Sequence, residues 1–135
     1  MSKQCLDAHQ MQHLQELGLD TSNASMVWCK CDCEKEYSHL LPKDEDVFER
    51  CLAVKYIPAY TLQDVLDALP DFINEYCLII DMSFGVIRYD NLTRKNNPIL
   101  KEKYFNDEDN ELIDAAYSLL CWAIDNKFVE TNKNE

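Results

Sequence analysis

Three stretches of the chain repeat apolar residues at the spacing of an α-helix. Residues 7–17 carry such a stripe and are followed by a glycine, which can take the left-handed conformation of a helix C-terminus. Residues 61–69 begin at Thr61, whose hydroxyl can form a capping box with the side chain of Asp64. Residues 108–126 start in a run of acidic side chains, which suits the positive end of a helix dipole. The pattern predicts a helix over each range.

The segments between these helices include two that alternate apolar and polar residues, as a half-buried strand does. Over residues 26–34 the odd positions are apolar, and from Lys30 onward the even positions are charged. Residues 99–105 also alternate, without showing which face is apolar. We therefore expect strands over 26–34 and 99–105. A shorter helix is predicted over 44–54, and residues 57–59 are expected to form a connection around a proline.

Residues 75–90 predict a β-hairpin whose register follows from its apolar face. With a loop of even length, Ile80 lies opposite Ile87. Leu78 then lies opposite Tyr89, whereas a three-residue loop would place a charged residue opposite Ile80. A four-residue loop ending in glycine fits best, because that glycine can take a positive φ. The same register collects three charged side chains on the other face: Asp81, Arg88 and Asp90.

The order of these elements predicts an α+β fold in one domain spanning residues 1–135, with a frayed polar tail at 130–135. Apolar residues make up 47% of the chain, which is enough to build a core without disulfides or metals. The expected architecture is a small antiparallel sheet packed against helices. The sheet comprises hairpin 75–90, strand 26–34 and the further strand 99–105, and the helices are 7–17, 61–69 and 108–126.

The charge of the chain limits its partners. It has 25 acidic residues against 13 lysines and arginines, so its formal net charge is −12. A field of that sign repels polyanions, so we expect neither direct nucleic-acid binding nor binding to an anionic membrane. The densest cationic stretch, residues 94–103, holds only four basic side chains with a glutamate among them. A basic protein is the partner that this charge favours.

The N-terminal residues contain no apolar core of a signal peptide, and no window approaches the length of a membrane span. We therefore expect a cytoplasmic protein. Its seven cysteines are an odd number, and in that compartment they are expected to be reduced thiols that pack as small apolar groups.

One cysteine cluster is a candidate metal site. Cys29, Cys31 and Cys33 alternate along the predicted strand, and His39 follows six residues later. Residues two apart in a strand are separated by about 6.6 Å, whereas sulfurs on one zinc ion lie about 3.8 Å apart. Structural zinc sites also space cysteines by at least two residues. We expect core cysteines here and no cofactor, and a small metal-binding domain remains the alternative hypothesis.

Catalytic signatures are absent from the sequence. Neither a phosphate-binding loop nor a nucleophile elbow occurs, and two glycines cannot build a glycine-rich phosphate cradle. No residue is predicted to be catalytic, and an enzyme or ligand-binding protein with an unfamiliar site is the third hypothesis. The leading hypothesis is a non-enzymatic factor that docks an acidic face onto a basic protein. The candidate residues for that face are Trp28, Asp64, Asp67, Asp71, Asp107, Glu108, Asp109 and Glu111.

Three stretches carry a resemblance to a known group of proteins. They are LDTSNASMVW at 19–28, IPAYTLQD at 57–64, and DAAY leading into LCW at 114–122. In these the chain resembles small acidic proteins encoded by phages and mobile elements of gut anaerobic bacteria. The resemblance brings no assigned activity and no functional residues, and with the charge and the missing catalytic signatures it motivates the hypothesis of an inhibitor, immunity-type or accessory factor. The cysteine cluster at 29–33 does not belong to the shared pattern, which counts further against a metal role.

Overall fold

A computed structural model describes residues 3–30, 35–43, 55–92, 99–105 and 110–131. Within these ranges the chain forms three helices and seven strands, which confirms the α+β class. The elements in chain order are α1 (Ala8–Glu16), β1 (Met26–Lys30), β2 (His39–Pro42), β3 (Lys55–Ala59), α2 (Leu62–Ala68), β4 (Phe72–Ile73), β5 (Tyr76–Asp81), β6 (Val86–Asp90), β7 (Ile99–Tyr104) and α3 (Leu112–Asp125). Of the described helices, none is long and apolar enough to cross a membrane.

The strands divide between two antiparallel sheets, where the sequence predicts one. β1 is the middle strand of a three-stranded sheet with the order β2-β1-β3, and the hairpin belongs to a four-stranded sheet with the order β4-β5-β6-β7. The difference arises because β2 and β3 are not predicted from the sequence. Pro58 lies within β3, and a proline is tolerated there because β3 is an edge strand whose N–H groups need no partner on one side.

The predicted hairpin register is confirmed in the second sheet. Leu78 pairs with Tyr89 and Ile80 pairs with Ile87, across a four-residue loop from 82 to 85. Gly85 closes that loop at a φ of 66°, a conformation that a side chain would disfavour. β7 adds to the hairpin antiparallel to β6, so the strand predicted over 99–105 is also present.

The helix ends follow local hydrogen-bonding rules. Thr61 caps α2 and forms the predicted capping box with Asp64, while Asp7 forms a second capping box with Gln10 at α1. α3 begins at Leu112, later than the predicted start at 108, and the residues 106–109 lie outside the described ranges. The helix predicted over 44–54 and the end of the strand predicted over 26–34 also lie outside them.

One core joins the helices to both sheets. Its centre is α3, whose residues Leu119 and Leu120 are fully buried against α2 and the second sheet. The Trp122 ring of α3 lies 6.1 Å from the Tyr89 ring of β6, so α3 covers one face of the second sheet. α1 adds Met11 and Leu14 to the same core from the side of the first sheet.

Candidate interaction surface

The second sheet packs one face against α3, and the side chains of its other face lie outside the core cluster, although Val86 and Asp90 among them are buried. On β5, Tyr76, Leu78 and Ile80 pack against the core, whereas Ile79 lies between them and points the opposite way, as strand alternation requires. We call the face on the side of Ile79 the open face. Strand pairing arranges it in three rows of direct neighbours: Phe72, Cys77 and Asp90; Ile79, Arg88 and Glu102; Asp81, Val86 and Tyr104.

Large apolar side chains exposed to solvent are concentrated on this sheet. Of the seven in the described part of the chain, six belong to its strands or to the segments next to them. They are Phe72, Met82, Phe84, Leu92, Ile99 and Tyr104. Phe72 is 70% exposed and Tyr104 is 60% exposed, at opposite corners of the open face. Scattered exposed apolar residues are normal on proteins, but a concentration on one element is typical of an interaction site.

An arginine surrounded by carboxylates lies at the centre of the open face. Arg88 Nε donates a hydrogen bond of 2.8 Å to Asp90 Oδ2, and its Nη1 lies 3.6 Å from Asp81 Oδ2. The hydrogen bond with Asp90 raises the pKa of the guanidinium above its usual value, so Arg88 stays charged. Asp81 also accepts hydrogen bonds from Ser83 N and Phe84 N, which holds the hairpin loop at this edge.

The open face nevertheless carries a net negative charge. Glu102, the register partner of Arg88, accepts a hydrogen bond of 2.8 Å from the Tyr104 hydroxyl, so the face carries three carboxylates against one guanidinium. Asp71 and Glu75 are exposed on either side of β4. They form an acidic rim next to Phe72. The surface therefore combines exposed aromatic anchors with a surplus of acidic groups.

The residues predicted to form the acidic interaction face differ in how exposed they are in the structure. Asp67 and Asp71 are exposed, and Asp71 flanks the open face. Asp64, predicted to be on the surface, is only 7% exposed and binds backbone groups, so it is a structural residue. Trp28 is half-buried with its Nε1 donating to Leu6 O at 2.8 Å, which ties β1 to the N-terminal segment.

The remaining predicted residues lie near the start of α3. Glu111 precedes the helix, and its carboxylate accepts hydrogen bonds from Lys3 N at 3.0 and 3.2 Å. That contact joins the N-terminal segment to α3 and leaves Glu111 half-buried. Asp107, Glu108 and Asp109 lie outside the described ranges. The predicted acidic face therefore does not form one surface among the described residues.

Of the four candidate metal ligands, two lie within the described residues. Cys29 and His39 are register partners on β1 and β2, and the buried Cys29 thiol donates a hydrogen bond of 3.6 Å to the His39 carbonyl. Cys31 and Cys33 lie outside the described ranges. The described residues contain no group of three or more side chains suited to hold a metal. A metal-binding role stays a hypothesis, which metal analysis of the purified protein tests.

Sequence reasoning missed the apolar part of the surface. It placed Asp81, Arg88 and Asp90 on one face of the hairpin, and the structure confirms this arrangement. Phe72 was missed because β4 has only two residues, too few to show alternation. Tyr104 was missed because the pattern over 99–105 does not show which face is apolar. The hairpin register was the signal that could have located the residues of this face that lie next to Phe72 and Tyr104.

No protein-family model, curated protein or solved structure matches the chain.

Proposed function

We propose that the protein is a non-enzymatic interaction factor that binds a basic partner protein through the open face of its second sheet. The observation that carries the proposal is the concentration of six exposed apolar side chains on one sheet and its adjoining segments. An antiparallel sheet can leave one face in water, but such a face normally carries polar side chains. Exposed aromatic residues on such a sheet are typical anchors of a protein interface.

The charge of the surface favours a basic partner. Asp81, Asp90 and Glu102 outnumber Arg88, and the chain as a whole carries a formal net charge of −12. A positive partner would be attracted over about 8 Å, the screening length at physiological salt, and would be oriented by the carboxylates as it arrives. Because Arg88 is already paired with Asp81 and Asp90, Glu102 and the exposed Asp71 are the groups best placed to meet partner cations.

The proposed role is that of an inhibitor, an immunity-type protein or an accessory factor of a phage or mobile element. The resemblance carried by residues 19–28, 57–64 and 114–122 supports this origin. Proteins of these kinds act by occupying a surface of another protein. They therefore need a binding surface and no catalytic residues. The open face supplies such a surface.

Reversing the charge of Glu102 tests the electrostatic part of the proposal. We expect Glu102→Lys to weaken binding of the partner about tenfold at 0.15 M salt, because it places a cation beside Arg88 and opposite a basic surface. The matched control is Glu36→Lys, which makes the same charge change at an exposed residue between β1 and β2. The control should change the affinity by no more than about twofold.

The measurement starts from a partner captured on the immobilised protein from an extract of cells that carry its gene, followed by titration of the purified pair. Binding of the wild-type protein should fall steeply as salt rises. Equal affinities for the Glu102→Lys and Glu36→Lys proteins, or failure to capture any basic protein in a salt-sensitive manner, would contradict the proposal.

A further inference from the structure

A second surface, on the other side of the molecule, has the opposite charge. It is a groove of about 380 Å³ between α1, β7 and α3. His13 lines it from α1. The strand contributes Lys101 and Lys103, and α3 contributes Tyr117, Ser118 and Cys121. We call it the lysine groove. It holds two of the few cations on a chain that is strongly acidic overall.

The two lysines occupy unusual positions. Lys101 pairs with Tyr89 and Lys103 pairs with Ile87, so both lie on the face of the sheet that carries the core. Residues two apart in a strand place their side chains on the same side, about 6.6 Å apart. Both lysines are half-buried, and within the described part of the chain neither forms an ion pair with a carboxylate. Two adjacent cations without paired anions form a site that attracts an anion.

The helix side of the groove adds neutral hydrogen-bond donors. Burial raises the pKa of the Tyr117 phenol, and its hydrogen bond with Cys121 raises it further, so the hydroxyl stays protonated. Ser118 supplies a second hydroxyl one residue later. Burial also raises the pKa of the Cys121 thiol, which leaves it a poor nucleophile. The groove therefore offers hydroxyl donors to a ligand beside the two lysines.

One carboxylate restricts what the groove can hold. Asp125 also lines the groove, so its lining carries two ammonium groups and the His13 imidazole against one carboxylate. A long polyanion would meet Asp125 and the repulsion of the whole acidic chain. A small dianion needs only the two lysines, which lie on the same side of β7. The edge of Trp122 adds an apolar wall on which an organic group could rest.

We propose that the lysine groove binds a small phosphate monoester, with its phosphate between Lys101 and Lys103 and its organic part toward Trp122. Phosphate suits this site because it carries close to two negative charges at neutral pH and has several acceptor oxygens for ammonium and hydroxyl donors. The site lies on the helix side of the second sheet, so a ligand there and a protein on the open face would occupy different surfaces.

The test is a titration of ¹⁵N-labelled protein with phenyl phosphate, followed by amide chemical shifts. Inorganic phosphate and sodium chloride at equal ionic strength are run beside it. We expect saturable shifts at Lys101, Lys103 and Ser118 with phenyl phosphate, weaker ones with inorganic phosphate, and none of saturable form with chloride. The dissociation constant should be on the order of 1 mM, as expected for a shallow site with few contacts.

A pair of double variants separates specific binding from general electrostatics. Lys101→Gln with Lys103→Gln should weaken phenyl phosphate binding at least about tenfold. Lys35→Gln with Lys55→Gln makes the same change in net charge on the side of the first sheet and should leave binding within about twofold. Thermal unfolding of both proteins establishes that they remain folded.

Two results would overturn the proposal. One is the absence of saturable shifts in the wild-type groove. The other is an equal loss of binding in both double variants. Either result would leave the two lysines with a purely structural role, in which charges on the edge strand β7 prevent it from pairing with another chain.

Discussion

Replacing Asp64 by alanine is expected to lower the free energy of unfolding by about 3 kcal/mol, because it removes a buried carboxylate that accepts several hydrogen bonds. The Asp64 carboxylate accepts hydrogen bonds from Ser25 N at 2.9 Å, from Ser25 Oγ at 2.7 Å and from Thr61 N at 3.0 Å. These bonds join the start of α2 to the residue that precedes β1, so one side chain connects a helix end to the first sheet.

The control for this prediction is Asp67→Ala, one turn further along α2. Asp67 is exposed, and its carboxylate accepts one hydrogen bond, from Gln63 Nε2 at 2.8 Å. Its removal should cost no more than about 0.5 kcal/mol. Urea unfolding of the three proteins measures both values. A loss for Asp64→Ala as small as that for Asp67→Ala would show that Asp64 does not link the two elements.

The contribution of Asp64 should also depend on pH. Burial acts to raise the pKa of Asp64, but the hydrogen bonds from Thr61 and Ser25 outweigh it, so the pKa lies below its ordinary value. A lowered folded-state pKa gives stability that is complete above the unfolded-state pKa, about 3.9. That stability disappears as the pH falls through the folded-state pKa. The difference in stability between the wild-type and Asp64→Ala proteins should therefore be larger at neutral pH than in acid, and a constant difference would contradict this explanation.

Replacing both exposed aromatic residues of the open face should abolish most of the affinity for the basic partner. We expect Phe72→Thr and Tyr104→Thr each to cost about 2 kcal/mol of binding free energy, as the loss of an aromatic anchor from an interface does. They stand on the two edge strands at opposite corners of the open face, so their effects should add to a loss on the order of 1000-fold. Threonine preserves the preference for strand structure.

The matched control is Phe128→Thr. Phe128 is an exposed aromatic residue on the helix side, where its ring lies 5.4 Å from Trp122. This variant should keep the affinity within about twofold. Calorimetry on the purified complex measures the wild type, the two single variants, the double variant and the control, and circular dichroism establishes that each is folded. A comparable loss for Phe128→Thr, or no loss for the double variant, would show that the open face is not the binding surface.

The parts of the fold that sequence predicted are those governed by local rules. The hairpin register followed from matching Ile80 with Ile87, because a shift by one residue would bury a charge. The start of α2 followed from Thr61 and its capping box. In both cases residues within a few positions of one another decide the structure, so the information is present in a short window.

The division into two sheets could not be predicted in this way. It depends on which strands pair across long stretches of chain, and β3 was hidden by Pro58, which is accepted only because that strand lies at an edge. Asp64 was misplaced for a related reason. Its position in α2 predicts a solvated carboxylate, and only the arrival of Ser25 from another part of the fold makes it buried.

The candidate surface was predictable only in part. The alternation of the hairpin placed Asp81, Arg88 and Asp90 together, but it could not show that α3 packs on the opposite face. The anchors Phe72 and Tyr104 join these residues only after β4 and β7 pair with the hairpin. The proposed function rests on that tertiary arrangement more than on net charge.

The most direct test is to map where the captured basic partner touches the protein. Carbodiimide cross-linking joins carboxylates to lysines in contact, and mass spectrometry identifies the joined residues. We predict cross-links from Asp71, Glu75 and Glu102, which surround the open face. Cross-links confined to Glu16 on α1 and Glu36 beside the first sheet, or the absence of any captured basic partner, would contradict the assignment of the open face as the binding surface.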